Sequence, residues 1–564
     1  MSSRLKASLL PAWSLLLALM VLLPALMPGY VLHVDMVFVP QQTLLPWNLG
    51  IGGGLPRSVP QDAVVSLIAG PIPGQVIQKV VLLASLVLAG VGAGRLAGPS
   101  LALRLPAASI YLWSAYTAAR LLMGHWGLLW AAALLPWVII AARTARRRGD
   151  WLPVVLLCGI GALVPTGGIL LALVAVPLAI GFGSALPPSR RGLIVAGVIA
   201  VNAPWWLAAV RSSSLHESDP LGLVVFGARA DGVGGVLTSV LAGGGVWNSE
   251  ATLGSRTTVF AAMGVVVLVA LAALGWQRWW RENPPEAVVL GALAVLGVLW
   301  AWISGTLGSQ VWAQQIVSAV PGGGLLRDGQ KWTVWWVLLL AVCAPWGLQR
   351  LLTRADENLR LFLAGSLTVL PIALLPDLAA GAFGRLQAHT YPQEWDGLRD
   401  QLARSQVAGD VVSLPWSPFR RYSWNGSGVV LDPLPRYLTR TVVWNDDLPV
   451  VLFNRLVEVG GDDPRAKIIG DTIASSKALP PRLAELGVAW IVVQRDQPQA
   501  SRQVDLRGAT MVWEQGDLQL WRVDTAVTVR APEDRVLVAV NVGVLLLLLG
   551  GSMVWITAHT RSRL

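Results

Sequence analysis

Long apolar runs alternate with short arginine-bearing segments along most of this chain. The runs of about 17 to 24 residues match the roughly 20 residues that a helix needs to cross the hydrocarbon core of a bilayer. We interpret them as about twelve transmembrane helices, near residues 8–27, 75–94, 104–121, 125–142, 151–165, 167–183, 192–210, 257–276, 286–305, 331–348, 361–380 and 535–558.

The arginine clusters all fall on one side of the membrane in this interpretation. When Arg4 and Lys6 are placed in the cytoplasm, every later cluster is also cytoplasmic, as the positive-inside rule requires. A single miscounted span would invert every later loop, so this agreement checks the count. We expect a multi-pass plasma-membrane protein with both termini in the cytoplasm, whose first run lacks a cleavage site and is retained. The clusters are Arg95 with Arg104, Arg143 with Arg146 to Arg148, Arg190 with Arg191, Arg278 with Arg281, Arg350 with Arg354 and Arg360, and Arg561 with Arg563.

The pattern changes after residue 380, where helix-like and strand-like segments replace the apolar runs. Residues 392–402 and 480–486 have the periodicity of helices, 410–416 and 488–493 that of strands, and a hairpin turns at 515–517. The predicted fold is a polytopic α-helical membrane protein with a C-terminal extracytoplasmic α/β domain between the last two spans. Its predicted parts are a bundle at 1–380 with a large outer loop at 28–74, the α/β domain at 381–534, and a final helix and cytoplasmic tail at 535–564.

Composition supports a membrane protein and excludes other classes. The chain has 564 residues, of which 54% are hydrophobic and 13% charged, whereas a soluble domain has roughly 25% charged residues. The net charge of +11 comes from arginines that anchor cytoplasmic segments, so we expect no nucleic-acid binding. Cys158 and Cys343 lie inside apolar runs and indicate neither a disulfide framework nor a thiol metal site.

The 28–74 loop places an acid among apolar residues. Asp35 lies within the apolar stretch 31–40, and amides, a tryptophan, glycines and an arginine follow it. Transfer of a sugar to a hydroxyl needs a carboxylate base and hydrogen-bonding groups around the ring, and this loop offers both. From the residues alone the ordinary alternative is preferred, namely a re-entrant or interfacial segment whose tryptophan anchors at the headgroups. The candidate ring contacts are Gln41, Trp47, Asn48 and Arg57.

A second outer loop contains two cations, although the positive-inside rule favours Lys and Arg in cytoplasmic loops. Arg327 and Lys331 are four residues apart at the start of a predicted span and follow the glycines at 322–324. If both lie on one face of a helix, the forked guanidinium of Arg327 and the ammonium of Lys331 could bind the same phosphate. The alternative is an ion pair between Arg327 and Asp328 with a snorkelling Lys331.

Further polar residues mark the same side of the membrane. Arg120 lies at the end of the third predicted span and His125 at the start of the fourth. Either residue could orient Asp35 or contact a phosphate. The ordinary alternative for His125 is a hydrogen bond to the backbone. No residue pattern identifies a specific cofactor. A divalent cation is a candidate, although the spacing of the residues matches no specific ligand motif. The loop at 211–256 holds His216 and the acids Glu217, Asp219, Asp231 and Glu250.

These features together resemble the GT-C superfamily of membrane glycosyltransferases, which use polyprenyl-phosphate-linked sugars and have an essential acid in the first outer loop. Asp35 matches that position. More narrowly, the start of the chain looks like the actinobacterial arabinofuranosyltransferases that build cell-wall arabinan. The motif resemblance covers residues about 30–80, with a looser match at 120–126 and 322–332, and rests on Asp35, Pro46-Trp47-Asn48, the glycine run, Pro71 to Gly74 and Gln75 to Lys79.

The sequence departs from this family in two respects. Many members have a pair of adjacent acids in the first outer loop, whereas Met36 follows Asp35 here and the next acid, Asp62, lies well downstream. Metal use is therefore open. The large carbohydrate-binding modules of the bigger arabinosyltransferases are also absent.

The resemblance implies an inverting transferase that moves arabinofuranose or mannose from a polyprenyl-phosphate donor to a cell-envelope glycan or lipid on the outer face. Asp35 would be the base, with the phosphate held by Arg327, Lys331 and Arg120 and the substrate by His125, Gln41, Trp47, Asn48 and Arg57. One alternative is a transporter or lipid flippase, although charges near the midplane and repeated halves are not evident. The other is a non-catalytic envelope-assembly protein, for which twelve spans exceed what an anchor needs.

Overall fold

The computed structural model describes residues 3–52, 54–181, 184–212, 219, 221–306, 308, 310–320, 322–452, 455–475, 479–497, 505–525, 527 and 533–561. The helices up to the last part of the bundle are α1 Ser3–Leu22, α2 Gln61–Ile68, α3 Gly74–Ala97, α4 Leu101–Leu112, α5 Ala115–Leu122, α6 Trp126–Arg148, α7 Leu152–Gly161, α8 Pro165–Ile180, α9 Pro188–Val201, α10 Ala203–Arg211, α11 Leu221–Phe226, α12 Gly235–Leu241, α13 Val259–Glu282, α14 Pro284–Gly305, α15 Gln310–Ala319, α16 Val334–Leu351 and α17 Glu357–Leu374.

The remaining elements form the C-terminal part of the chain. Its helices are α18 Ala379–Gly384, α19 Gln393–Arg404, α20 Leu434–Tyr437, α21 Pro464–Ser475, α22 Leu479–Glu485 and α23 Arg535–Arg561. The strands of the whole chain are β1 Tyr30–Val31, β2 Ala388–His389, β3 Asp410–Leu414, β4 Phe419–Arg421, β5 Val429–Leu431, β6 Val442–Val443, β7 Leu448–Leu452, β8 Arg455–Val459, β9 Val488–Gln494, β10 Ala509–Gln515 and β11 Leu518–Val523.

Most of the predicted spans are long apolar helices. Eight helices among the described residues are long and apolar enough to cross a membrane, and nine if the bent pair α9 and α10 is one span. Their length and composition confirm a membrane bundle, but the count of about twelve is not confirmed. The predicted spans at 151–165 and 167–183 are the shorter helices α7 and α8.

The third predicted span is broken into α4 and α5. The backbone leaves helical geometry at Trp113, and the side chain of Ser114 accepts a hydrogen bond from the Thr117 N–H at 3.2 Å. A serine that bonds this N–H caps a new helix, so the apolar run continues while the helix does not. The break places α5 next to the turn that leads into α6.

A mixed sheet organises the C-terminal region, residues 388–523, which we call the sheet region. Five strands lie in the order β10-β11-β9-β3-β6, with β3 parallel to β9 and β6, and β11 antiparallel to β9 and β10. The predicted helices at 392–402 and 480–486 are confirmed as α19 and α22, and the predicted strands and hairpin as β3, β9 and β10–β11. Alternation and short apolar runs are local signals, so the sequence could identify these elements.

The 28–74 loop packs against the sheet region instead of lying at a lipid interface. Its strand β1 pairs with β2, and the Tyr391 hydroxyl donates to the Phe38 carbonyl at 3.0 Å. Met36 and Phe38 are 0% and 2% exposed, so the apolar stretch is interior to the protein. The part of the loop that carries Asp35 is therefore packed within the protein.

Candidate functional site

A cavity of about 2160 Å³ lies between one end of the bundle and the sheet region. Its walls come from the 28–74 loop, the turn between α5 and α6, the segment before α16 and the loops of the sheet region. Most of the predicted site residues line it, namely Asp35, Trp47, Arg57, Arg120, His125, Arg327 and Lys331.

A row of four polar side chains crosses the floor of the cavity. The Nε2 of His125 is 3.1 Å from Oδ2 of Asp35, and its Nδ1 is 3.0 Å from Nη1 of Arg120. The same Nη1 donates to Oδ2 of Asp328 at 2.7 Å. A guanidinium can only donate, so Nδ1 of His125 is the acceptor and Nε2 carries the hydrogen. The Nε2–H of His125 thus donates to Oδ2 of Asp35.

Arg120 and Asp328 form the buried end of this row. Arg120 is 0% exposed and its guanidinium lies 5.6 Å from the ring centroid of Tyr116. Burial opposes ionisation of Asp328, but the charges of Arg120 and Lys331 outweigh it and hold the pKa of its carboxyl below the usual range. The predicted alternative of an Arg327–Asp328 pair is wrong, because Asp328 is paired with Arg120. Arg120 thus contacts both Asp328 and His125 while it lines the cavity.

Arg327 and Lys331 line the cavity, and no carboxylate among the described residues lies within ion-pair distance of either cation. Arg327 donates its Nε to the Gly324 carbonyl at 3.3 Å and lies over the ring of Phe226 at 5.7 Å. Burial lowers the pKa of Arg327, since solvation of its charge is reduced. Lys331 is 8% exposed. Buried cations are costly unless paired, so an anion bound here would offset that cost.

The other predicted contacts divide between the cavity and the loop interior. Trp47 lines the cavity beside Trp444, with ring centroids 6.3 Å apart, and Arg57 forms an ion pair with Asp462. Asn48 is fully buried and accepts the Leu45 N–H at 2.6 Å, so it holds the loop. Gln41 is exposed, lies outside the cavity lining, and its carbonyl accepts a hydrogen bond from Arg399.

The acids of the 211–256 loop have other partners. Asp219 accepts from the N–H groups of Leu221 and Gly460, and Asp231 pairs with Arg256. Glu250 lines the cavity, while His216 and Glu217 lie outside the described residues. Within the described ranges, no group of three or more His, Cys, Asp or Glu side chains is arranged to hold a metal ion.

The sheet region contributes an acidic wall that the sequence reasoning missed. Asp446 and Asp462 line the cavity with Asp447 and Asp463. Asp446 accepts from the N–H groups of Asp462 and Asp463 at 2.7 and 2.9 Å, and burial raises its pKa. Two pairs of adjacent aspartates, at 446–447 and 462–463, were the signal available in the sequence.

Close packing at Gly124 sets the position of Asp35. Gly124 has φ +75°, and a Cβ there would lie 2.2 Å from the Met36 nitrogen, 2.7 Å from the His33 oxygen and 2.8 Å from the Asp35 nitrogen. All three are backbone atoms that cannot rotate away. Only glycine therefore lets the turn before α6 approach the segment that carries Asp35.

We expect Gly124→Ala to lower the turnover of the reaction proposed below by about 10²-fold, since a displacement of about 1 Å at a reacting group costs that much. Transfer assays and thermal unfolding in detergent check this. The matched control is Gly70→Ala in the 28–74 loop, where a Cβ would meet nothing within 4 Å. Equal losses in the two variants would contradict the argument.

No family model and no curated protein match this sequence. Among solved structures, the cryo-EM structure of the mycobacterial arabinofuranosyltransferase AftD matches with a TM-score of 0.57 and 17% identity, covering 94% of this chain and 40% of that one. An AftD mutant has a TM-score of 0.55 and 17% identity over 93% of this chain and 42% of its own. ArnT from Cupriavidus metallidurans in the apo state has a TM-score of 0.43 and 13% identity, covering 92% of this chain and 99% of that chain.

The likeness to AftD is one of fold. This chain spans about two fifths of the length of the AftD structures. Over 94% of its own length this chain shares the fold of AftD, an arabinofuranosyltransferase, the kind of protein that its sequence resembles.

Proposed function

We propose that this chain is an inverting GT-C glycosyltransferase that moves a sugar from a polyprenyl-phosphate donor to a hydroxyl of a cell-envelope glycan or lipid, on the outer face of the plasma membrane. One observation carries the proposal. The carboxylate of Asp35, bonded to His125, shares a cavity with two cations, Arg327 and Lys331, that have no carboxylate within ion-pair distance among the described residues.

In the proposed reaction Asp35 is the general base. Its Oδ2 accepts from His125, whereas Oδ1 accepts no hydrogen bond from the described residues, and the side chain is 42% exposed. Oδ1 takes the proton of the acceptor hydroxyl while that oxygen attacks the anomeric carbon. The bond from this carbon to the phosphate oxygen breaks, and the electron pair leaves with polyprenyl phosphate. A single displacement of this kind inverts the anomeric configuration.

The cations act on the leaving group. Negative charge develops on the phosphate oxygen as the bond breaks, and positive groups placed in advance around it stabilise the transition state more than the ground state. Arg327 and Lys331 supply these charges. His125 positions Asp35 and takes no proton from it, because its Nε2 already carries a hydrogen.

The choice of sugar rests on the likeness to AftD. Arabinofuranose is the first candidate donor sugar and mannose the second. Trp47 and Trp444 on the cavity wall offer surfaces for a sugar ring, and the aspartates of the sheet region offer acceptors for its hydroxyls. The distribution of arginines supports placing the cavity on the outer side of the plasma membrane.

The test is transfer by purified protein in liposomes. Synthetic polyprenyl-phospho-arabinofuranose and the mannose analogue are supplied as donors with a short oligosaccharide acceptor, and products are followed by mass spectrometry and by NMR of the anomeric proton. We expect an elongated acceptor of inverted configuration together with free polyprenyl phosphate. Movement of the lipid across the bilayer without transfer would overturn the proposal in favour of a flippase. Retained configuration would overturn the single displacement.

A further inference from the structure

The segment that presents Asp35 is a strained two-residue turn. The His33 N–H donates to the Met36 carbonyl at 3.2 Å and the Met36 N–H to the His33 carbonyl at 2.9 Å, so Val34 and Asp35 occupy the centre of the turn. Val34 has φ +49°. A β-branched residue at positive φ is a strained outlier that persists only when its surroundings impose it.

The surroundings that impose this conformation belong to the sheet region. The Val34 N–H donates to the Val429 carbonyl, and the Leu431 N–H donates to the Val34 carbonyl, both at 2.8 Å. The amide of Asn425 donates to the Leu32 carbonyl at 3.0 Å. Residues 425–431 thus bond the turn on both sides of its strained residue.

The bundle holds the opposite side of the same turn. The Asp35 N–H donates to the Met123 carbonyl at 3.3 Å, next to Gly124 and His125. The 3.1 Å contact between Asp35 and His125 therefore depends on both the bundle and the sheet region, which contact the turn from opposite sides. Without the bonds from residues 425–431, Val34 would relax to negative φ and rotate the Asp35 carboxylate.

We infer that residues 425–431 of the sheet region are a positioning element for the base, with Asn425 as its side-chain contribution. The sheet region then affects turnover directly and not only through acceptor binding. The inference deepens the proposed function and rests on it in one respect, that Asp35 is the reacting group.

The test variant is Asn425→Asp, which keeps the shape of a 4% exposed side chain but removes its donor. Loss of one buried hydrogen bond together with release of the turn is expected to lower kcat at least ~10-fold, with KM for the donor within about twofold. Adding Val34→Gly should recover much of the loss, because glycine adopts positive φ without the side-chain penalty. A merely structural defect would not be rescued by that glycine.

The matched control is Asn283→Asp. Asn283 donates its amide to the Trp279 carbonyl at 3.2 Å, between α13 and α14, and does not line the cavity. The Asn283→Asp variant also loses a hydrogen bond from a side-chain amide to a backbone carbonyl, but at a site away from the turn. We therefore expect its kcat to be close to that of the parent protein. An equal fall in kcat for both asparagine variants would overturn the inference.

Hydrogen exchange of the peptide that spans residues 32–38 tests the positioning without reference to activity. We expect slow exchange in the parent protein, faster exchange in Asn425→Asp, and slower exchange again when Val34→Gly is added. Faster exchange with unchanged kcat would overturn the inference. If this exchange pattern is observed but the parent protein transfers no sugar from any donor, the proposed function is wrong, whereas the positioning of the turn by residues 425–431 is supported.

Discussion

Replacing Asp35 by asparagine is expected to lower kcat for sugar transfer by about 10²–10⁴-fold, the contribution typical of a positioned general base. The amide oxygen of the new side chain still accepts the hydrogen bond from Nε2 of His125, but an amide does not take the proton of an acceptor hydroxyl. Because the side chain is 42% exposed and its shape is kept, we expect thermal stability to change little. The measurement is initial transfer rate in liposomes with lipid-linked sugar, beside thermal unfolding of the same preparation.

The control for this substitution is Asp400→Asn. Asp400 lies on α19 in an exposed pair with Arg404, with side chains 63% and 78% exposed, and such surface pairs contribute little. We expect normal transfer from this variant. If Asp35→Asn kept normal activity, Asp35 would not be the base and the proposed mechanism would be wrong.

Replacing Arg327 by glutamine is expected to lower kcat/KM for the polyprenyl-phosphate donor by about 10²–10³-fold, the range found when one group that stabilises developing charge is removed. The Arg327 side chain is partly buried, with no carboxylate within ion-pair distance among the described residues. Its removal therefore leaves no orphaned acid. We expect thermal stability to be unchanged or slightly higher, which separates loss of phosphate contact from loss of fold.

Arg404→Gln is the matched control, since it removes the exposed partner of Asp400. Inhibition by free polyprenyl phosphate provides a second readout. It should weaken in Arg327→Gln and stay normal in Arg404→Gln. Normal inhibition in Arg327→Gln would contradict the assignment of Arg327 to the phosphate.

Several features of this protein were accessible from sequence because they depend on neighbouring residues. A long apolar run is sufficient to predict a membrane helix, because each segment that crosses the bilayer must itself be long and hydrophobic enough to span it. A short apolar run likewise predicted β9, and the turn at 515–517 predicted the hairpin β10–β11. The break at Trp113 had a local signal in the capping Ser114, which the apolar run obscured.

The sequence identified individual residues of the candidate site by their unusual positions, but it did not predict how these residues are arranged in space. Arg120, Arg327 and Lys331 are cations where the positive-inside rule disfavours them, and Asp35 is an acid among apolar neighbours. Such residues need partners, which is why all four were singled out. Their partners could not be predicted, because the Coulomb energy and the hydrogen bond depend on distance in space.

The sequence by itself determined that this chain is a membrane bundle with an α/β region near its C-terminus, and it determined which charged residues require an explanation. Only the tertiary structure decided that Asp328 pairs with Arg120 and not with its neighbour Arg327, that Asn48 is buried away from the cavity, and that Val34, at positive φ, bonds to Val429 and Leu431. The two pairings join segments that are far apart along the chain. Arg120 meets Asp328 where α5 lies against the segment before α16, and Val34 meets Val429 and Leu431 where the sheet region packs against the 28–74 loop.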